Sequence, residues 1–218
     1  MRAIPALSSL QEKILEALVQ RHFATPGQLQ TLCAAQKWDI SRSVDALHSL
    51  ELVDVHSMVR PHICCLTNRG AAVLNSALPS GGRRPSWSVM AHACHRNAFE
   101  IAMREKHSRF RFFPRLALLK QRLNPAHGDH AALIDDTSTT WYVLLDDYLM
   151  PPKRLTHRWT REHRPSVRHA QPGPRRRWRD VANAFVVVCT DEKHAARHRA
   201  VIARDRLPAE VYELEAIW

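Results

Sequence analysis

Ile40-Ser41-Arg42-Ser43-Val44-Asp45-Ala46-Leu47-His48-Ser49-Leu50 is the stretch on which the reading of this chain turns. Ile40, Val44, Leu47 and Leu50 recur at three- and four-residue intervals, the spacing of one buried helix face. Ser41, Arg42, Asp45, His48 and Ser49 then face outward. Upstream, Leu10, Ile14, Leu15, Leu18 and Val19 predict a first helix over residues 7–22, capped by Ser8 or Ser9. A second, shorter helix starts at Pro26 behind a Thr25 cap and turns Leu29, Leu32 and Cys33 inward. Gln36-Lys37-Trp38-Asp39 reads as the turn into the third helix. Downstream, residues 53–58 and 62–66 read as two strands, and Thr67 opens a last helix over 67–78.

Three helices followed by a strand–turn–strand make the order of a winged helix-turn-helix, here residues 1–79. In that architecture the third helix enters the major groove and the hairpin tip lies along the phosphates. Arg42 is the best candidate for a base edge, with Ser41 and His48 behind it. Lys37 before the helix and Arg60 at the hairpin tip would neutralise phosphates, fixing register without reading sequence. Winged helices also serve as protein-binding modules, so an adaptor in a nucleoprotein complex stays open as an alternative.

Charge points the same way. The 218 residues carry 32 Lys and Arg against 21 Asp and Glu, a formal net charge of +11, with 14 histidines besides. Such an excess favours a polyanion, and nucleic acid is the usual one. No apolar run approaches the ~18 residues of a membrane span, and the first residues lack a signal-peptide core. The five cysteines are scattered, with no C-x-x-C pair, which suits buried thiols in a reducing compartment. A cytoplasmic, nucleoid-associated bacterial protein without a membrane partner is the expectation.

Pro79-Ser80-Gly81-Gly82-Arg83-Arg84-Pro85 marks a linker over residues 80–88, and Arg83 and Arg84 add their own charge to it. Beyond it, residues 89–218 alternate helix and strand, an α/β domain. A helix over 89–106 precedes strands at 110–113, 131–134 and 140–146, then a buried strand at 184–189. A helix capped by Asp191 and a strand at 211–217 follow. Between them lies a basic segment, 153–179. Residues 153–180 hold ten Lys and Arg, three His and two acids. Residues 153–164 read as helical and 164–179 as an extended loop. Arg158-Trp159, Arg161, Arg175-Arg176-Arg177-Trp178 and Arg179 interleave guanidinium groups with rings. Arginines attract phosphate, and tryptophan can stack on an unpaired base.

Asp129 before one strand, Asp146 at the end of the next and Glu100 on the preceding helix could together hold Mg²⁺ through oxygen ligands and activate water against phosphate. Asp129 and Asp146 would be the metal ligands. No lysine stands two residues after either strand-end acid, so DNA binding without catalysis is the leading expectation. Mg²⁺ is expected only if the nuclease alternative holds; otherwise no cofactor is. His92, His95 and Asn97 form a polar cluster on one helix, best read as hydrogen-bonded structure.

The order of these residues resembles the replication-relaxation family of plasmids and integrative conjugative elements. Leu66-Thr67-Asn68-Arg69-Gly70 through Val73-Leu74 is similar to its LTxxG…LL stretch, and His92 with Asn97 to its H-x4-N helix. Asp129-His130-Ala131-Ala132-Leu133 resembles its PDAL strand entry, with Gly128 in the place of proline. Leu144-Leu145-Asp146 and Phe185-Val186-Val187-Val188-Cys189-Thr190-Asp191 are similar to its LExD and VLVVTPD strands. The resemblance implies a winged helix ahead of a domain with a degenerate PD-(D/E)XK nuclease fold. It implies duplex or partly unpaired DNA as partner, with proteins of a replication, mobilisation or transposition complex. Leu144 stands where the family has an acid, which implies an incomplete metal site.

Overall fold

The computed structural model describes residues 6–57, 60–75, 86–113, 115–126, 128–134, 139–146, 150–163 and 176–215. Among these the chain is mixed α+β, with eight α-helices and two sheets. It divides into two compact units, the first running to Ile101 and the second from Ala102.

In the first unit, helix α1 (Ser9–Arg21) and helix α2 (Pro26–Cys33) each begin with a reciprocal cap. Ser8 Oγ accepts from the Gln11 N–H at 3.3 Å, and Gln11 Oε1 accepts from the Ser8 N–H at 2.8 Å. Thr25 and Gln28 repeat the exchange at 3.2 and 3.1 Å. Each exchange satisfies two amides that the helix itself leaves without partners. Helix α3 (Lys37–Ser49) starts three residues before the apolar pattern does. The expected turn at Lys37-Trp38-Asp39 is therefore its first coil, where the Asp39 charge suits the positive end of the helix dipole. The apolar period marks only buried positions, so it could not register an exposed first turn.

Strands β1 (Phe23–Ala24), β2 (Val53–His56) and β3 (Ile63–Leu66) form a sheet in the order β1-β3-β2, antiparallel throughout. The two-residue β1, opposite Cys65 and Cys64, is too short to leave a periodic signal. Ile14, Leu15, Leu18, Leu29, Ile40, Val44, Leu47, Leu52 and Cys64 make one buried cluster beneath it. Helix α4 (Asn68–Val73) is capped by Thr67 Oγ1, which accepts from the Gly70 N–H at 3.0 Å. It stops at Leu74, and Asn75 takes the left-handed conformation (φ 49°); residues 76–78 of the expected 67–78 helix lie outside the described residues.

Helix α5 (Trp87–Lys106) contributes its residues through Ile101 to the first unit. There Asn97 Nδ2 donates to the Phe23 carbonyl at 2.7 Å, and Gln28 Nε2 donates to the Cys94 carbonyl at 2.7 Å. The division between units thus falls inside α5. Of the expected linker, residues 80–85 lie outside the described residues, and Trp87 and Ser88 open the helix.

The second unit is a five-stranded sheet in the order β4-β5-β6-β7-β8: Arg111–Phe112, Asp129–Ile134, Thr139–Leu145, Ala184–Cys189 and Ala209–Glu213. β4, β5 and β6 pair antiparallel; β6, β7 and β8 pair parallel. Helices α7 (Arg154–Thr160) and α8 (Glu192–Asp205) and a 3₁₀ turn (Trp178–Asp180) pack on one face of it. A short helix α6 (Arg115–Lys120) lies between β4 and β5. Gly128, just ahead of β5, has φ +83°, and a Cβ there would stand 2.7 Å from the Leu145 carbonyl oxygen. Proline, fixed near φ −65°, could not take that position.

The face under α7 and α8 is aromatic. Tyr142 stacks on Trp178 (centroids 4.5 Å apart) and on Phe185 (4.6 Å), and Trp159 stacks on Phe185 (5.4 Å). Trp178 and Trp159 are both buried. This corrects the expectation that they are displayed to stack on bases. Trp159 lies four residues after Leu155 on the inner face of α7; of the arginines beside the two rings, Arg179 is exposed while Arg158 and Arg177 are half-buried.

Candidate functional site

Among the described residues, the outward face of α3 in the first unit and a buried cluster in the second come first. In the first, α3 presents Lys37, Trp38, Asp39, Ser41, Arg42, Asp45, His48 and Ser49 to solvent while Ile40, Val44 and Leu47 are buried. Trp38 is 71% exposed, the most exposed large hydrophobic side chain among the described residues. Arg42 follows it by four, so the indole and the guanidinium share a face one turn apart. His48 Nδ1 lies 2.9 Å from the Val53 carbonyl oxygen, which ties the ring to β2. Arg60 is exposed.

In the second unit, the parallel strands β6 and β7 end side by side, and the chain places polar residues just beyond both ends. Asp146 follows β6, with its N–H donating to the Val188 carbonyl at 2.9 Å. Asp191 follows β7 and caps α8, its Oδ1 accepting from the His194 N–H at 2.6 Å. One helical turn separates His194 from His198. Both rings reach the same carboxylate oxygen: Asp146 Oδ2 lies 2.6 Å from His194 Nε2 and 2.7 Å from His198 Nε2. The two Nε2 atoms are 3.0 Å apart. Asp146 Oδ1 accepts from the Met150 N–H at 2.7 Å, which fixes the carboxylate's orientation. All three residues are buried. Burial works against the Asp146 charge, but the contacts from His198, Met150 and His194 prevail and hold its carboxyl below the usual value. The Cys189 thiol is pushed up to about 12, first by burial and then by the Asp146 carboxylate. It stays neutral there.

Comparison with protein-family models, with curated proteins and with solved structures finds no match to this chain. What the site can do has to come from its own geometry.

Each of the three sequence-predicted carboxylates has partners of its own within its unit. Glu100 belongs to the first unit and is ion-paired there with Arg21. Asp129 is the first residue of β5. Its Oδ1 accepts from Tyr142 Oη and from Arg158 Nη1, both at 2.7 Å, and its Oδ2 accepts from the Ala126 N–H at 2.9 Å. Burial, then the Asp129 charge, pushes the Tyr142 hydroxyl well above its ordinary value, so the phenol stays a donor. A carboxylate held by three donors, one of them cationic, is a closed structural anchor. Mg²⁺ at Oδ1 would have to displace the Arg158 guanidinium or the Tyr142 hydroxyl.

Arg158, expected at the DNA backbone, is thus occupied as the counterion of Asp129. Arg177 is bound to Glu162 at 2.6 Å. Arg161, Arg176 and Arg179 are exposed. Arg83, Arg84 and Arg175 lie outside the described residues. His194 and His198 escaped the sequence reading. Their H-x3-H spacing behind a cap was the available signal, since residues four apart share a helix face. A second group of possible metal donors sits on β2 and β3, where His56 Nε2 lies 3.5 Å from Cys65 Sγ and 4.0 Å from the exposed Asp54.

Proposed function

We propose that this chain is a DNA-binding protein whose first unit is a winged helix-turn-helix, with α3 as the helix that enters the major groove. The observation that carries the reading is the outward face of α3. A bare indole and a guanidinium stand one turn apart on an otherwise polar surface. Arg42 can bond a guanine edge or a phosphate, and Trp38 can lie against a sugar or a thymine methyl. Lys37 and Arg60, both exposed, would neutralise phosphates. The order α1-β1-α2-α3-β2-β3 with its three-stranded sheet supports the architecture.

The second unit adds charge in Lys153, Arg154, Arg161, Arg176 and Arg179, all exposed. These suit backbone contacts of the kind that raise affinity without reading sequence. A role in the maintenance of a plasmid or conjugative element rests on the motif resemblance. DNA binding without cleavage suits the closed state of Asp129.

Fluorescence anisotropy with labelled duplex, after selection of a preferred site from a random pool, tests this directly. Arg42→Ala and Trp38→Ala should each weaken the selected site about tenfold, roughly the ~1–3 kcal/mol of one good base contact, while random duplex loses less. Unchanged affinity of both variants for the selected site overturns the reading.

A further inference from the structure

We propose that Asp146, His194 and His198 form a site for one divalent transition-metal ion of the zinc class, ligated by Asp146 Oδ2 and the two Nε2 atoms. The argument begins with protons. Each neutral imidazole has one N–H, and an N–H can point at one acceptor. Three short contacts join three atoms here: 2.6, 2.7 and 3.0 Å. If both Nε2 atoms carry hydrogen, both serve the carboxylate, and two donors then face each other at 3.0 Å. If only one carries hydrogen, the other turns a lone pair on the carboxylate at under 2.8 Å. With neutral rings, every arrangement leaves one contact repulsive. A cation between the three atoms takes a lone pair from each and satisfies all of them.

Charge leads to the same place. Asp146 is buried, and its ion-pair partners among the described residues are these two histidines. With both rings neutral, no described residue gives the carboxylate a full counter-charge, an expensive condition inside a protein. A divalent ion supplies it.

The geometry is close to what such an ion needs. Zinc bonds of ~2.0–2.1 Å at tetrahedral angles put ligand atoms about 3.3 Å apart. The observed edges of 2.6, 2.7 and 3.0 Å are therefore short of it by about 0.3–0.7 Å, a gap that side-chain rotations would have to open. Two histidines four apart on one helix are a recurrent zinc-ligating pair. The Met150 N–H on Asp146 Oδ1 already orients the carboxylate, as outer hydrogen bonds do for metal ligands. Imidazole nitrogens select zinc, cobalt, nickel or iron over the magnesium that an all-carboxylate site would take. Three protein ligands leave a fourth position for water or an oxygen of a bound molecule. The site's place beyond the C-terminal ends of two parallel strands is where open α/β sheets hold ligands.

The test uses the full chain, stripped with chelator and titrated with Co²⁺ and then Zn²⁺. One equivalent of Co²⁺ should give visible ligand-field absorption that Zn²⁺ abolishes, and Zn²⁺ but not Mg²⁺ should raise the thermal midpoint. The double variant His194→Ala with His198→Ala should lose the absorption, with affinity down about 100-fold or more, and Asp146→Asn should weaken it. Should the double variant fail to fold, ring signals of the wild-type histidines decide. Zn²⁺ should shift two of the fourteen at one equivalent. No Co²⁺ spectrum in the wild type, scattered shifts over many histidines, or undiminished binding by a folded variant overturns the proposal. None of these readings depends on DNA.

Discussion

Asp129 shows how much a carboxylate's meaning depends on its neighbours. By position it resembles a metal ligand at a strand entry, yet three donors hold it, and Arg158 crosses from α7 to supply the charge. Taking one partner from a buried ion pair costs more than the pair itself is worth, because the remaining charge stays desolvated. Arg158→Met keeps most of the side-chain volume and removes the guanidinium. It should lower stability in urea by about 3 kcal/mol. Double replacement, with Asp129→Asn added, should recover part of that loss. If the single variant unfolds like the wild type, Asp129 is not the anchor described, and its availability to Mg²⁺ returns. The buried carboxylate just beyond the neighbouring strand β6 has the opposite character. Among the described residues the Asp146 carboxylate meets imidazoles and a backbone amide, and that difference separates a structural anchor from a candidate site.

Among the elements, α4 is the one whose sequence is most tightly determined. Thr67 Oγ1 accepts from the Gly70 N–H and donates to the Glu51 carbonyl at 2.6 Å, while the Thr67 N–H donates to the Leu52 carbonyl at 3.1 Å. The helix is drawn so close to that carbonyl that a Cβ on Gly70 would stand 2.0 Å from the Leu52 oxygen. Gly70→Ala should therefore cost about 1–3 kcal/mol, as overpacking does, although alanine is ordinarily the better helix former. An unchanged thermal midpoint would mean that α4 can shift without loss. Such elements were legible because their causes are local. The caps at Ser8, Thr25, Thr67 and Asp191 and the apolar stripes of α1 and α3 all stood in the sequence. β1 was not legible, since two residues carry no period, and neither was the early start of α3 at exposed positions. The inward turn of Trp159 and Trp178 was hidden too, because a run of arginines masks the two rings that face Tyr142 and Phe185. The pairing of α8 with Asp146 depends on β6 and β7 running parallel, a fact of tertiary structure that spacing alone cannot reveal. His194 and His198 could have been suspected as a pair; their third partner could not.

At the scale of the whole molecule, the net charge of +11 matters only through where it is free to act. Part of it is internally committed: Arg21 to Glu100, Arg158 to Asp129, Arg177 to Glu162 and Arg199 to Glu213. Lys37, Arg42 and Arg60 in the first unit are exposed, as are Lys153, Arg154, Arg161, Arg176 and Arg179 in the second. Each exposed cation that neutralises a DNA phosphate releases a condensed counterion, so the logarithm of affinity falls against the logarithm of salt with a slope of about −0.9 per contact. If the first unit selects the site and the second holds the backbone, the two sets of variants should differ in kind. Arg161→Ala, Arg176→Ala and Arg179→Ala combined should weaken selected and random duplex by the same factor and flatten the slope by about 2–3. Trp38→Ala should leave the slope unchanged and lower only the ratio of selected to random affinity, because an indole releases no counterion. Arg42→Ala should lower that ratio and, where it touches phosphate, take about one from the slope as well. Titrations at several salt concentrations, each run on both duplexes, separate the outcomes. A triple variant with its slope intact would show that the second unit does not hold the backbone through these arginines. A Trp38 variant with the ratio preserved would remove α3 from the recognition of sequence.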